Sequence, residues 1–243
     1  MFLGFQQVLL FSSTIARNKT ITAKSDKRDG LETLILHLAP WKLSGFNVCS
    51  SASEGCIEAC LNTAGRGRMT AVQLARIART KFWFENPIGF KAQIVSELQA
   101  FSRRCDKLGN RGAVRMNGTS DILWEKQWPQ LFTTFPHIQF YDYTKHVKRC
   151  LGGYVLPSNY HLTFSRSEKN QADCLRVLEA GRHNVAVVFG GKNFPSSWEG
   201  YPTYSADNDD LRFLDPPGGH VGALYAKGKG KKDATGFVLP ILQ

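Results

Sequence analysis

Nothing in this chain offers the ~20 uninterrupted apolar residues that cross a bilayer as a helix, because its apolar runs are short and soon broken by charge or glycine. An integral membrane protein is therefore excluded, and no membrane partner is expected. Cysteine is sparse too: six in 243 residues is too few for a secreted disulfide scaffold. No Gly-x-Gly-x-x-Gly or Walker-type loop follows any apolar run, which argues against a dinucleotide or P-loop site. The chain has no internal repeat and no Pro-, Gly- or Ser-rich linker, so one domain large enough to bury its own core is expected. Acid is the scarcer charge, and the excess of Lys and Arg leaves a formal +11. Such a field attracts nucleic acid, phosphate or other anionic ligands.

The first 25 residues carry no acid at all. After Leu9-Leu10-Phe11 they turn to Ser, Thr, Arg and Lys, but no basic residue precedes the apolar patch and no clear small-residue cleavage site follows it. A loosely ordered arm over residues 1–30 is preferred to a cleaved targeting segment. Residues 31–243 are expected to form a single α/β domain ending in a basic segment. There, strand-length apolar runs end abruptly in polar residues: Thr33–Ala39, Ala113–Asn117, Ile138–Tyr143, Tyr160–Phe164, Asn184–Phe189 and Val221–Ala226. Their β-branched and aromatic content favours strands. Val72, Ala75, Ile77 and Ala78 mark one helix, and Phe90, Ile94, Leu98, Phe101 and Cys105 a second, with Asn86-Pro87 at its start. Gln171–Glu179 reads as a third, closed by Gly181. Strands alternating with helices predict a partial or complete βα barrel of about six mainly parallel strands, with an open doubly wound sheet as the alternative.

Directly after the first strand stands Cys49-Ser-Ser-Ala-Ser-Glu-Gly-Cys56-Ile-Glu-Ala-Cys60. The Cys56 and Cys60 spacing suits one helical face, and the Ser/Gly loop can swing Cys49 back to join them. Three converging thiolates suit a [4Fe-4S] cluster with one iron left free of protein thiolate, or a zinc site completed by a fourth ligand. Free cysteine also serves as a small buried hydrophobe, but half of all the cysteines lie here among polar Ser, Glu and Gly spacers. Cys105, Cys150 and Cys174 show no such clustering.

Together with that loop, the segments running on to Cys60-Leu-Asn-Thr-Ala-Gly-Arg-Gly67, Arg115-Met-Asn-Gly-Thr-Ser-Asp121, Tyr141-Asp-Tyr-Thr-Lys145, Phe164-Ser-Arg-Ser167 and Asp210-Leu-Arg-Phe-Leu-Asp-Pro216 resemble a family of uncharacterised phage and plasmid proteins with a three-cysteine loop. The likeness runs from about Leu31 to Phe237 and implies the cytoplasm of a host cell as the place of action. A second, fold-level resemblance is to the radical S-adenosylmethionine enzymes, βα barrels whose three-cysteine loop also follows the first strand. It implies a four-iron cluster on Cys49, Cys56 and Cys60 with S-adenosylmethionine as the companion cofactor. The spacing here is six then three intervening residues, against three then two in those enzymes.

In parallel βα sheets the site lies at the C-terminal edge of the strands. The second strand ends in Asn117-Gly-Thr-Ser120-Asp121, the third in Asp142-Tyr-Thr-Lys145 and the fourth in Ser165-Arg166-Ser167-Glu168. Asp121 can hold a ribose hydroxyl, accept a proton or act as a nucleophile, and Lys145 can bind a carboxylate or phosphate or pair with Asp142. These two are the catalytic candidates; Asn117, Asp142, Ser165 and Ser167 are the cofactor-binding ones. Taken singly, each is as well explained by a helix cap or a salt bridge, Thr-Ser-Asp before Ile122-Leu-Trp-Glu125 being good capping chemistry. Asp207, Asp209, Asp210 and Asp215 suggest a divalent cation or pairing with Arg212, and Lys227-Gly-Lys-Gly-Lys-Lys232 a flexible basic stretch for phosphate.

The leading expectation is an iron–sulfur, radical S-adenosylmethionine-like enzyme acting on an anionic small molecule or a nucleotide-type substrate. The alternatives are a basic nucleic-acid-binding protein with a structural zinc, and a base-modifying enzyme on nucleic acid that uses Asp121.

Overall fold

The computed structural model describes residues 9–13 and 30–241, so most of the arm expected over residues 1–30 lies outside the described residues. Its described piece is not loose. Phe11–Ser13 forms an edge strand, β1, antiparallel to β2 (Leu31–Leu36). Leu10 is fully buried, and the Glu97 carboxylate accepts from the Leu10 and Phe11 amides at 2.9 and 3.0 Å. The apolar Leu-Phe pair thus docks because it finds both a core and a hydrogen-bond acceptor.

Two short helices follow, α1 (Trp41–Ser44) and α2 (Glu54–Glu58), then the long pair α3 (Thr70–Glu85) and α4 (Pro87–Leu108). Helix α4 starts and stops as its sequence dictates. The Asn86 side chain accepts from the Gly89 amide at 2.9 Å, Pro87 takes the first turn, and Gly109 closes the helix at φ 66°. Its apolar stripe, Phe90, Ile94, Leu98, Phe101 and Cys105, is wholly buried. Next come β3 (Arg111–Arg115), α5 (Trp124–Gln127), α6 (Gln130–Thr134), β4 (Gln139–Thr144), α7 (Val147–Cys150), β5 (Tyr160–Ser165), α8 (Gln171–Ala180) and β6 (Val185–Phe189). Strands β7 (Ser197–Trp198), β8 (Tyr201–Ser205), β9 (Val221–Tyr225) and β10 (Val238–Leu239) complete the chain.

The strands join in the order β1-β2-β3-β4-β5-β6-β9-β8-β7, and every pair from β2 to β8 is parallel. The α/β class is as expected, and the order follows the chain from β1 to β6 but runs backwards from β9 to β7. Two corrections apply. The described sheet has ten strands rather than about six, and it is open, because no pairing among the described residues joins β1 to β7. The connections from β2 to β6 step the same way, which sets their right-handed crossover helices on one face. Leu34, Val114, Phe140 and Leu162 pack there with α3 and α4, and Phe164, Val185, Val187 and Val221 with α8. The other face carries Leu31, Ala113 and Tyr141 beneath Leu211 and Phe213.

One irregularity opens the sheet where the site lies. β5 pairs with β6 only at Phe164–Val185 and Ser165–Ala186, after which Val188 and Phe189 pair with β10 instead. The C-terminal strand is therefore wedged beside β6 beyond the end of β5.

Candidate functional site

At the C-terminal edge of the parallel strands lies a cavity of about 250 Å³. Cys49, Cys56 and Cys60 line it from the loop after β2, Arg115, Asn117 and Asp121 from β3 and its exit, Lys145 from the exit of β4, and Ser165 from the end of β5. Gly230, Phe237 and Val238 close it from the C-terminal segment. Of the nine residues singled out in the sequence, Asp142 and Ser167 do not line it.

The thiols share the cavity but not one helix. Helix α2 is a single turn ending at Glu58, and Cys60 (φ −54°, ψ 130°) instead starts a 3-10 turn over Leu61–Thr63, its sulfur accepting from the Asn62 amide at 3.5 Å. This corrects the common helical face expected for Cys56 and Cys60. All three cysteines are free and half-buried. Burial, then Asp121 and the two neighbouring thiols, push the Cys49 thiol up to about 12, and burial raises Cys60. Among the described residues no three His, Cys, Asp or Glu side chains converge tightly enough to hold an ion.

Asp121 does not cap α5, whose preceding residue, Leu123, makes no side-chain cap bond. Its Oδ2 accepts from the Lys145 amide at 2.8 Å and its Oδ1 from Arg149 at 3.3 Å, while its own amide donates to the Val48 carbonyl at 2.8 Å. With both oxygens engaged, Asp121 ties together the exits of β2, β3 and β4. Lys145 does not pair with Asp142. Its Nζ donates to Ser165 Oγ at 2.8 Å and stands 5.6 Å from the Phe237 ring, with no carboxylate in ion-pair range among the described residues. It is thus a cation facing the cavity with neutral partners.

Asn117 lines the cavity as a hub of its loop: Oδ1 accepts from Ser120, the Ile122 amide and Trp124, and Nδ2 donates to Asp142 and the Ile122 carbonyl. Asp142 lies on the helix-covered side, fully buried, accepting from the Asn117 amide at 2.7 Å and from Tyr160 at 2.7 Å. Burial raises its carboxyl to about 7 against the pull of those hydrogen bonds. Ser167 sits in the loop between β5 and α8, its amide donating to Asn170 Oδ1 at 2.6 Å and its hydroxyl accepting from the Lys169 amide at 3.4 Å.

Two residues were not singled out from sequence as site residues, and one stretch was read there as flexible. Arg115 lines the cavity, paired to both oxygens of Asp210 at 3.2 Å, and its Nε is buried without a hydrogen-bond partner. Glu168 reaches across to the cysteine loop, accepting from Ser53 Oγ at 2.7 Å and the Gly55 amide at 3.0 Å. Those bonds hold its carboxyl below its usual range against partial burial. The stretch Gly228–Lys232 is no flexible tail but a 3-10 turn with Gly230 buried against the cavity. The acidic loop is likewise absorbed: Asp209 and Asp215 pair with Arg212, Asp210 with Arg115, and Asp207 with Lys227. That leaves it no free carboxylates for a cation, as spacing alone could not show.

The sequence model of a protein family described as gene product 88 matches residues 9–240, which fits the phage-type resemblance of the chain's motifs. No curated protein and no solved structure matches the chain. No helix among the described residues is long and apolar enough to cross a membrane.

Proposed function

The chain belongs to the gene product 88 family, and from its site we propose an iron–sulfur enzyme of the radical S-adenosylmethionine type, acting on an anionic or nucleotide-type substrate. One observation carries the reading: three cysteines of a single loop line the same cavity as Asp121, Lys145 and Ser165, at the C-terminal edge of the parallel strands. Ligands of parallel α/β sheets bind at that edge, and the order from β2 to β6, sequential and parallel, suits a partial βα barrel over that part of the sheet.

The donors fit a cluster better than zinc. Both carboxylates on the cavity, Asp121 and Asp210, are committed to arginines, so the three cysteines remain as donors; they do not converge in this structure, their loop would have to draw them together around a metal, and zinc would need a fourth ligand besides. A cluster with one iron free of protein thiolate would bind S-adenosylmethionine and supply the electron for its cleavage. The chain's own residues bind and enclose. Lys145 and the unpartnered Nε of Arg115 offer positive charge and a donor to a carboxylate or phosphate. Asp121 holds the backbone of Lys145 in place, and Phe237 with the turn at Gly230 shields the cavity from water.

Anaerobic purification with iron, sulfide and zinc analysis tests this. Iron and sulfide should be retained, and serine at Cys49, Cys56 or Cys60 should abolish retention, since a shared site loses most of its affinity with any one ligand. Serine at Cys105, Cys150 or Cys174, buried in the apolar clusters, should leave it intact. Colourless protein with stoichiometric zinc would overturn the proposal in favour of a nucleic-acid-binding protein with a structural zinc, and full iron in Cys56→Ser would sink the assignment of ligands.

A further inference from the structure

We propose that a second cavity beside the first binds the phosphate of a phosphate-bearing ligand and admits that ligand to the site. This cavity, about 630 Å³, is walled by Lys192, Ser205, Asn208, Tyr225, Lys227 and Lys231. Its cations come from two parts of the chain: Lys192 from the loop after β6, and Lys227 and Lys231 from the segment that leaves β9 through the turn at Gly228–Lys232. The ammonium groups of Lys192 and Lys231 converge on one ring, standing 5.7 and 5.2 Å from the centre of Tyr225. Neither has a carboxylate in ion-pair range among the described residues. The carboxylate that does line the cavity, Asp207, accepts from Lys227 Nζ at 2.6 Å and from the Tyr225 amide, so its charge is already matched.

Two like charges gathered on one ring repel each other, and the ring offsets only part of that cost. A multiply charged anion in the cavity would offset it. Ser205 and Asn208 add neutral hydrogen-bonding groups, and the aromatic face suits a base or sugar beside the phosphate. Tyr225 and Lys227 line both cavities, so a ligand held here by its phosphate abuts the space beside Lys145 and the cysteines. The proposal does not depend on what metal or cofactor fills the first cavity.

The test uses the full chain with two probes, adenosine triphosphate by calorimetry and a labelled single strand of about ten nucleotides by anisotropy. Lys192→Ala/Lys231→Ala is compared with Lys81→Ala/Lys107→Ala, which removes the same charge from exposed positions on α3 and α4. The first pair should weaken binding by about tenfold or more and lower the salt slope for the strand by about 1.4, the share of two phosphate contacts. The second pair should change little, and Lys192→Arg/Lys231→Arg should keep most of the affinity. Whichever probe binds more tightly identifies the source of the phosphate as mononucleotide or nucleic acid. Equal losses in the two alanine pairs would reduce the effect to the overall field of the protein and overturn the proposal, as would failure of both probes to bind at low salt.

Discussion

Lys145 and Arg149 show how differently two cations near one carboxylate can be used. Arg149 is fully buried, with a two-point contact to Glu125 at 2.8 Å, a bond to Tyr160 at 2.9 Å and a longer one to Asp121. It is structural, and Glu125→Gln should destabilise the protein by about 3–5 kcal/mol in urea unfolding, the cost of a buried charge left without its partner. Lys145→Ala should instead leave the unfolding midpoint nearly unchanged while weakening ligand binding, because its ammonium meets only Ser165 and a ring. A large loss of stability in Lys145→Ala would mark it as structural after all. Titration separates two other buried residues. Asp142 is raised from 3.8 to about 7, so the folded chain holds its proton more tightly and the group's contribution to stability is full below about pH 4 and declines as pH rises to 7. His37 is lowered from 6.5 to about 3, chiefly by burial and then by Arg76, Arg115 and Arg79, so its contribution is lost as pH falls from 6.5. Relative to wild type, Asp142→Asn should therefore gain stability from pH 4 to 7, and His37→Gln should gain as pH falls over that range, each by at most about 1.4 kcal/mol per pH unit. Unfolding curves across pH check both signs.

Helix α2 is too short to stand alone, and its anchors lie outside it. Ser53 Oγ accepts from the Cys56 amide at 3.3 Å, and Glu168, 115 residues from Ser53 in the exit of β5, caps the same end. A carboxylate at a helix N-terminus is favourably placed against the exposed amides. Glu168→Gln or Ser53→Ala should cost about 0.5–2 kcal/mol and weaken metal retention with all three thiols present, measured as iron content after dialysis. Unchanged retention would mean that the cysteines hold their loop unaided. Gly55 has a further demand on it, since a Cβ there would run into Thr235 and Phe237 of the closing segment. The long helices were legible because their stripes and caps are local: Asn86-Pro87, the buried run from Phe90 to Cys105, and Gly109. Strands β7 and β10 were not legible because each is two residues long, β10 pairing with a strand about 50 residues earlier, and β8 because its run Tyr201–Ser205 carries Pro202 and polar residues rather than an apolar stretch.

At the scale of the molecule, the decisive feature is that the last segment closes what the strands leave open. Arg166 donates to the Gly236 and Phe237 carbonyls at 2.9 and 3.0 Å, and Asp233 accepts from the Thr235 hydroxyl and the Val238 amide, so the closure is latched at several points. Removing residues 233–243 should leave the sheet intact by far-UV circular dichroism, and, for the proposed cluster, should speed its loss to a chelator several-fold, because a site open to water releases its ion more easily. An unchanged rate would show that the segment does not cover the site.

The sequence alone determined what depends on neighbours along the chain: six strand-length runs, three helices with their punctuation, a cluster of three thiols, and polar residues at the strand exits. Direction did the rest for Asn117, Asp121, Lys145 and Ser165, since parallel strands put their C-terminal ends on one side and the cysteine loop leaves β2 on that side too. Only the tertiary structure decided which of these groups is free to act. Asp121 and Asp142 look alike in sequence, but one is shared between Arg149 and the Lys145 amide and the other is buried beneath Tyr160. Arg115 and Glu168 are placed by partners 95 and 115 residues away, and the Gly228–Lys232 turn lies against Ala59 and Ala64 from the far end of the chain. Hydrogen bonds and ion pairs across such separations are set by how strands stack, which no local pattern encodes.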